Sequence, residues 1–165
     1  YLFADSDDLF IDGFYQIVSE YFNKDYDIVA FLPTSMYVDT GKPAHRHEYH
    51  VKYYNAYLEN PTRENMLNAM FHPRTPWSKL IRASMVKDNN IWYGNTRVAN
   101  DVMFSTKTAV KAKKFTVVNK EIYCVTDREG SLTMSYDEKT LDIRTQVFIE
   151  RYKYIEENLS KKDFK

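Results

Sequence analysis

Three carboxylates within four residues, Asp5-Ser6-Asp7-Asp8, follow directly on the apolar run Tyr1-Leu2-Phe3-Ala4. Extended apolar residues that stop at acids mark a buried strand ending at an open sheet edge. Hard divalent cations take carboxylate oxygens there together with phosphate oxygens, so the cluster points to metal-assisted chemistry on a diphosphate. Mn²⁺ or Mg²⁺ fits such ligands, with Asp5, Asp7 and Asp8 as the candidate metal ligands. The plainer reading is a solvated turn in which Asp8 or Asp12 caps the next helix.

A second candidate is Asp101, where Asn100-Asp101 precedes a run carrying Met103, Phe104 and Val110 at helical spacing. A carboxylate at a helix start either relieves the dipole or stands ready as a base. His45, His47 and His50 bring imidazoles together, but no fourth ligand follows, and Arg46 among them suits a polar loop better than a metal site. Cys124 lies between Tyr123 and Val125 and reads as strand core, and a single cysteine forms no internal disulfide. A reducing, cytoplasmic compartment is expected, with the inner face of a membrane as the alternative.

The elements that must carry these residues read as α/β. Asp12 to Asn23 is expected as a helix, with Phe14, Ile17, Val18, Tyr21 and Phe22 on one face and Asp12 as its cap. Tyr26 to Leu32 reads as a buried strand stopped by Pro33. The mixed polar and aromatic stretch from Thr40 to Tyr57 has no clean period and is expected as excursion strands or a loop over the site. Thr62 after Pro61 caps a helix that ends near His72-Pro73. Trp77 to Ile81 is a strand, followed by a short helix to Lys87 and a turn at Asp88-Asn89-Asn90. Two short strands, Phe115 to Val118 and Glu121 to Val125, precede a long closing helix with Leu141, Phe148, Tyr152, Ile155 and Leu159 on its apolar face.

With 165 residues, 44% of them hydrophobic, the chain suits one domain with its own core. Lys plus Arg and Asp plus Glu number 23 each, so no broad basic field favours nucleic acid. The 14 Tyr, 10 Phe and 2 Trp serve a core or the face of a sugar equally well. The closing Ser160-Lys161-Lys162-Asp163-Phe164-Lys165 reads as a solvated tail, with a basic juxtamembrane patch and peripheral membrane association as the alternative. Because the chain opens inside an apolar run, it is expected to be part of a longer protein, with exposed strand edges that favour self-association.

Two known metal-loop patterns fail, one on a single residue and one on two. Haloacid-dehalogenase-type phosphatases carry Thr where Leu9 stands, and an EF-hand counted from Asp5 meets Phe10 and Gln16 where Gly and Glu are needed. The segment Tyr-Leu-Phe-Ala-Asp-Ser-Asp-Asp-Leu instead resembles the Asp-x-Asp region of family 2 glycosyltransferases, inverting enzymes of the GT-A fold. Trp77-Ser78-Lys79-Leu80-Ile81-Arg82 is similar to that family's Trp-x-Lys-Leu-aromatic-Arg strand, with Ile81 in the aromatic place. Asn100-Asp101-Val102-Met103-Phe104 is similar to its Glu-Asp-Val-x-Phe, with Asn for Glu. Tyr123 to Thr133 resembles its Tyr-x-Tyr-Arg-x-Arg-x-Gly-Ser-x-Ser/Thr loop, keeping Tyr123, Arg128, Gly130, Ser131 and Thr133, with Val125 and Thr126 replacing the second Tyr and the first Arg.

The resemblance implies an α/β fold: a truncated GT-A domain with a mixed sheet, flanking helices and a long C-terminal helix. Residues 1–165 would form its acceptor-side part, the nucleotide-binding part lying outside the chain. It implies transfer of a sugar from a nucleoside diphosphate donor to a carbohydrate or lipid-linked hydroxyl acceptor, as in polysaccharide biosynthesis. Asp101 would be the base, Asp5, Asp7 and Arg128 would hold the donor and its metal, and Trp77 and Lys79 would face the acceptor. A non-catalytic carbohydrate-binding or assembly module of the same fold, and a metal-dependent phosphohydrolase, are the alternatives.

Overall fold

The run Ile28-Val29-Ala30-Phe31-Leu32 shows no polar alternation, as expected of a strand covered on both faces. In the computed structural model, which describes residues 1–128 and 137–163, it begins β2 (Ile28–Tyr37). Ile28 and Ala30 face one core layer and Val29 and Phe31 the other. The partner strand β4 (Phe115–Asp127) runs parallel to β2, while the short strands β1 (Leu9–Phe10) and β3 (Lys79–Ile81) close the two edges antiparallel, in the order β1-β4-β2-β3.

Helices cover both faces of this mixed sheet. α1 (Phe14–Ser19) packs its Val18 on the Val29–Phe31 side. On the other side α2 (Glu48–Glu59), α3 (Arg63–Phe71), α4 (Ala83–Asp88) and α5 (Val102–Lys111) contribute Tyr54, Met70, Met85 and Phe104 to the Ile28–Ala30 layer. The 21-residue α6 (Glu138–Asn158) rests on α5 through Val102, Met103 and Val147. The α/β class, the mixed sheet and the long closing helix thus match expectation. Among the described residues, no helix is long and apolar enough to cross a membrane.

Several boundaries differ from expectation. Pro33 does not end β2, because β2 and β4 slip register on both sides of Leu32, and at such a bulge a missing N–H costs no ladder bond. The same slips merge the two expected strands after Phe115 into β4: Phe31 pairs with Val118 but Leu32 with Glu121, so Asn119-Lys120 is an exposed excursion within one strand. The stretch from Thr40 to Tyr57 is largely α2, whose buried positions are His50 and Tyr54, one helical turn apart. α1 is shorter than expected and is preceded by Gly13, at φ 82°, rather than by an Asp12 cap. Tyr1–Ala4 has no assigned strand, yet Tyr1 exchanges both backbone hydrogen bonds with Ile81, and Leu2 and Phe3 pack on opposite core layers.

The expected Thr62 cap is present, its hydroxyl accepting from the Asn65 N–H at 3.2 Å. Thr62→Ala should lower unfolding free energy by about 1 kcal/mol, read as a shift in the urea midpoint at unchanged slope.

Candidate active site

The Asp5–Asp8 segment is a turn closed by the Asp8 N–H on the Asp5 carbonyl at 3.2 Å. Its shape is imposed from β4. The Tyr123 hydroxyl accepts from the Asp5 N–H and donates to Asp8 Oδ2, both at 2.9 Å. The Thr126 N–H donates to Asp8 Oδ1 at 2.8 Å, and its hydroxyl donates to the Asp7 carbonyl at 2.8 Å. Tyr123 and Thr126 are buried, so the β4 side of these part-buried bonds is shielded from water while the acids keep some contact with it. Both oxygens of Asp8 are therefore engaged in holding the turn. Asp7 points outward and pairs with Arg128, Nη2 to Oδ2 at 3.2 Å, both side chains being well exposed. Gly130, Ser131 and Thr133 lie outside the described residues.

Asp101 stands at the start of α5, in the cap position, and makes no side-chain cap bond. A cluster of rings joins this helix start to the acidic turn. Phe3 packs on Phe104 at 5.1 Å and on Tyr93 at 5.7 Å between ring centres, and Tyr93 stacks on Phe104 at 4.6 Å. Phe3 lies two residues before Asp5 and Phe104 three after Asp101, so the cluster draws the two acids together.

The charges register this proximity. Asp5 keeps contact with solvent, yet partial burial, then Asp8, Asp101 and Asp7, push its carboxyl from 3.8 up to about 6, against a small opposing pull from Arg46. Burial raises Asp101 as well, opposed by the backbone N–H groups at the helix start and by the charges of Lys79 and Arg74. Tyr93, which the sequence did not single out, is raised by burial and then by Asp101 and Asp5.

Trp77 and Lys79 form a wall behind these acids. Trp77 is 6% exposed, packed between His50 at 4.3 Å and Tyr123 at 5.4 Å, and so presents little ring surface to a ligand. Lys79 is buried, and its Nζ donates to the Pro73 and Thr75 carbonyls at 2.7 Å each. Burial lowers its ammonium to about 7, with the Asp101 charge opposing. His50 is held neutral, down to about 3, by burial and then by the cations Lys79, Arg74 and Arg46. The Cys124 thiol is buried and raised by that burial, as befits a core residue.

Among the described residues, no group of three or more His, Cys, Asp or Glu side chains could hold a metal on its own. The arrangement does fit a divalent ion shared with a diphosphate. Mg²⁺ and Mn²⁺ at such sites take one or two carboxylates and complete their shell with phosphate and water oxygens. Asp5, whose ionised form is disfavoured by partial burial and then by neighbouring acids, and the outward Asp7 could supply those carboxylates, with Asp8 fixing the turn behind them.

No family model matches the chain, and no curated protein matches it. Solved structures do. The chain resembles S. aureus TarS residues 1–349 in complex with UDP-GlcNAc, at 20% identity and a TM-score of 0.63, over 90% of this chain and 41% of that one. The same TarS segment in complex with UDP aligns at 20% identity and a TM-score of 0.55, over 76% and 35% of the two chains. A longer TarS structure aligns at 18% identity and a TM-score of 0.58, over 90% of this chain and 24% of that one. The fold is shared with TarS. The expected α/β architecture is therefore one that TarS also has, and the chain spans about two fifths of the first TarS segment.

Proposed function

We propose that the chain is the acceptor-side part of a nucleotide-sugar glycosyltransferase that works with inversion. The observation that carries this reading is the meeting of two acid-bearing elements, the turn at Asp5–Asp8 and the start of α5 at Asp101, through the Phe3–Tyr93–Phe104 ring cluster. Its likeness in fold to TarS bound to UDP-GlcNAc supports a uridine diphosphate sugar as the donor.

In this reading Asp101 accepts the proton of the acceptor hydroxyl as that oxygen bonds to the anomeric carbon. The bond from that carbon to the diphosphate oxygen breaks, and its electron pair leaves on the nucleoside diphosphate. Attack from the side opposite the leaving group inverts the configuration. A base with a raised pKa matches its task better than an ordinary carboxylate. Asp5 and Asp7 would hold Mn²⁺ or Mg²⁺, which when bound would neutralise charge on the departing diphosphate. Arg128 faces the same phosphates after exchanging its Asp7 partner for them.

Residues 1–165 alone are expected to be inactive, so the test is incubation of the full protein that contains them with UDP-GlcNAc, Mn²⁺ and a panel of carbohydrate hydroxyl acceptors, with products identified by mass spectrometry and NMR. A glycoside of inverted anomeric configuration is expected. Because the chain spans about two fifths of the TarS segment, a non-catalytic binding module is the second reading. UDP binding without glycoside formation would favour that module, and phosphate release without glycoside would favour a phosphohydrolase.

The Asp5 carboxyl gives the site a pH dependence. Mn²⁺ must displace its proton, so affinity should fall about tenfold per pH unit below about 6 and level off above it. Stability without ligand runs the other way. The pKa is raised by folding, so the native state binds more protons between 3.8 and about 6, and this term disfavours folding as pH rises through that window. Mn²⁺ titration and urea denaturation across the same pH series separate the two effects.

A further inference from the structure

A second polar cluster, on the side of α6, is basic. Arg74, between α3 and β3, stands 4.8 Å from the centre of the Phe148 ring and 5.9 Å from that of Tyr49. Arg151 on α6 lies close enough for the Arg74 charge, added to burial, to hold its guanidinium below the usual pKa. One Arg151 N–H bonds the Phe71 carbonyl at 2.8 Å, and its buried Nε has no hydrogen-bond partner. Among the described residues, neither arginine makes an ion pair.

His72 ends α3 in the same place. Its ring stacks on Tyr53 at 4.1 Å, and its Nδ1 meets the Tyr49 hydroxyl at 3.2 Å. Burial lowers its pKa, and the charges of Arg151, Arg74 and Lys52 lower it further. Together these groups line a cleft of about 430 Å³ between α2, α3 and α6. The acid in its lining, Asp163, is engaged elsewhere, bonded to Arg63 by two contacts at 3.1 and 3.0 Å and to the Ser160 hydroxyl at 2.9 Å.

Two guanidinium groups that line one cleft with no ion pair of their own, the Asp101 charge reaching Arg74 only from beyond ion-pair distance, raise the free energy of the fold, and ring faces offset only part of that. An oxyanion removes the penalty. A carboxylate has two oxygens and satisfies one arginine fork, whereas a phosphate has enough to accept from two forks and a further donor. We propose that this cleft binds a phosphate group, clamped between Arg74 and Arg151, with Tyr49 and His72 completing its donors. Binding there requires neither a sugar donor nor a metal, so it stands or falls separately from the transfer reaction.

The experiment titrates the intact chain with inorganic phosphate at constant ionic strength in chloride, by calorimetry and by NMR of the His72 ring. Saturable binding is expected, with the His72 midpoint moving upward because a bound anion favours the imidazolium. Parallel titrations with glycerol 3-phosphate and with phosphatidylglycerol vesicles distinguish a soluble phosphoester from a lipid headgroup as the source. Arg74→Gln should weaken phosphate binding at least about tenfold and remove the His72 shift. Arg151→Lys, which keeps the charge but loses the fork, should also weaken it and serves where Arg74→Gln disturbs folding. Absence of saturable phosphate binding, wild-type affinity in both variants, or binding to vesicles alone would each overturn the assignment.

Discussion

Asp101→Asn is expected to lower transfer by a factor of about 10²–10⁴ while leaving the fold intact, since that is what a positioned proton acceptor contributes. The amide fills the same space at the start of α5 but cannot take the hydroxyl proton. Stability should hold or rise slightly, because the substitution removes a charge that burial already disfavours. Two secondary signatures separate loss of the base from a general disturbance. At saturating Mn²⁺, which removes the Asp5 contribution, the acid limb of the wild-type rate profile should lie above the usual carboxylate range, as the raised Asp101 requires, and this limb should vanish in the variant. Lys79, whose ammonium the Asp101 charge supports, should lose its proton more readily once that charge is gone. Donor affinity and urea midpoint close to wild type, with turnover lost, is the expected pattern; retained turnover would remove Asp101 from the mechanism.

The parts of this molecule legible in its sequence are those fixed by local pattern. Ile28 to Leu32 announces a two-sided strand because every position is apolar, and Thr62 announces a helix start because its hydroxyl serves an N–H three residues on. α2 was hidden because its buried face is made by His50 and Tyr54, a histidine and a tyrosine that read as polar until Trp77 and the Ile28–Ala30 layer cover them. Pro33 and Asn119-Lys120 looked like breaks, but a strand can absorb a proline or an extra residue wherever its register slips, and the slip depends on the partner strand. The same limit applies at the site. Asp5, Asp7, Asp8 and Asp101 are visible as acids at element ends, whereas the residues that orient them come from far along the chain. Tyr123 reaches Asp8 across 115 positions and Thr126 reaches Asp7 across 119, with nothing in either neighbourhood to announce the contact.

That long-range support makes Asp8→Ala the most damaging change expected in the acidic turn, for structural rather than chemical reasons. Removing the carboxylate leaves the Tyr123 O–H, which still accepts from Asp5, and the Thr126 N–H without an acceptor, both in buried residues, and each orphaned donor costs about 1–3 kcal/mol. Relief of repulsion with Asp5 returns part of this, leaving a loss of about 2–4 kcal/mol. Asp8→Asn, which keeps one acceptor oxygen, should fall between wild type and alanine. Asp7→Asn breaks only an exposed pair with Arg128, and so should change stability by less than about 1 kcal/mol. Metal affinity should order the variants differently, with Asp7→Asn weakening Mn²⁺ binding at full stability and Asp8→Asn weakening it only as far as the turn loosens. Urea denaturation and Mn²⁺ titration on the same samples distinguish the two roles. If Asp8→Asn were as stable as wild type but blind to Mn²⁺, Asp8 would be a ligand, and the turn would be held by the Thr126 hydroxyl on the Asp7 carbonyl, the Asp5 N–H on the Tyr123 hydroxyl and the Asp8 N–H on the Asp5 carbonyl.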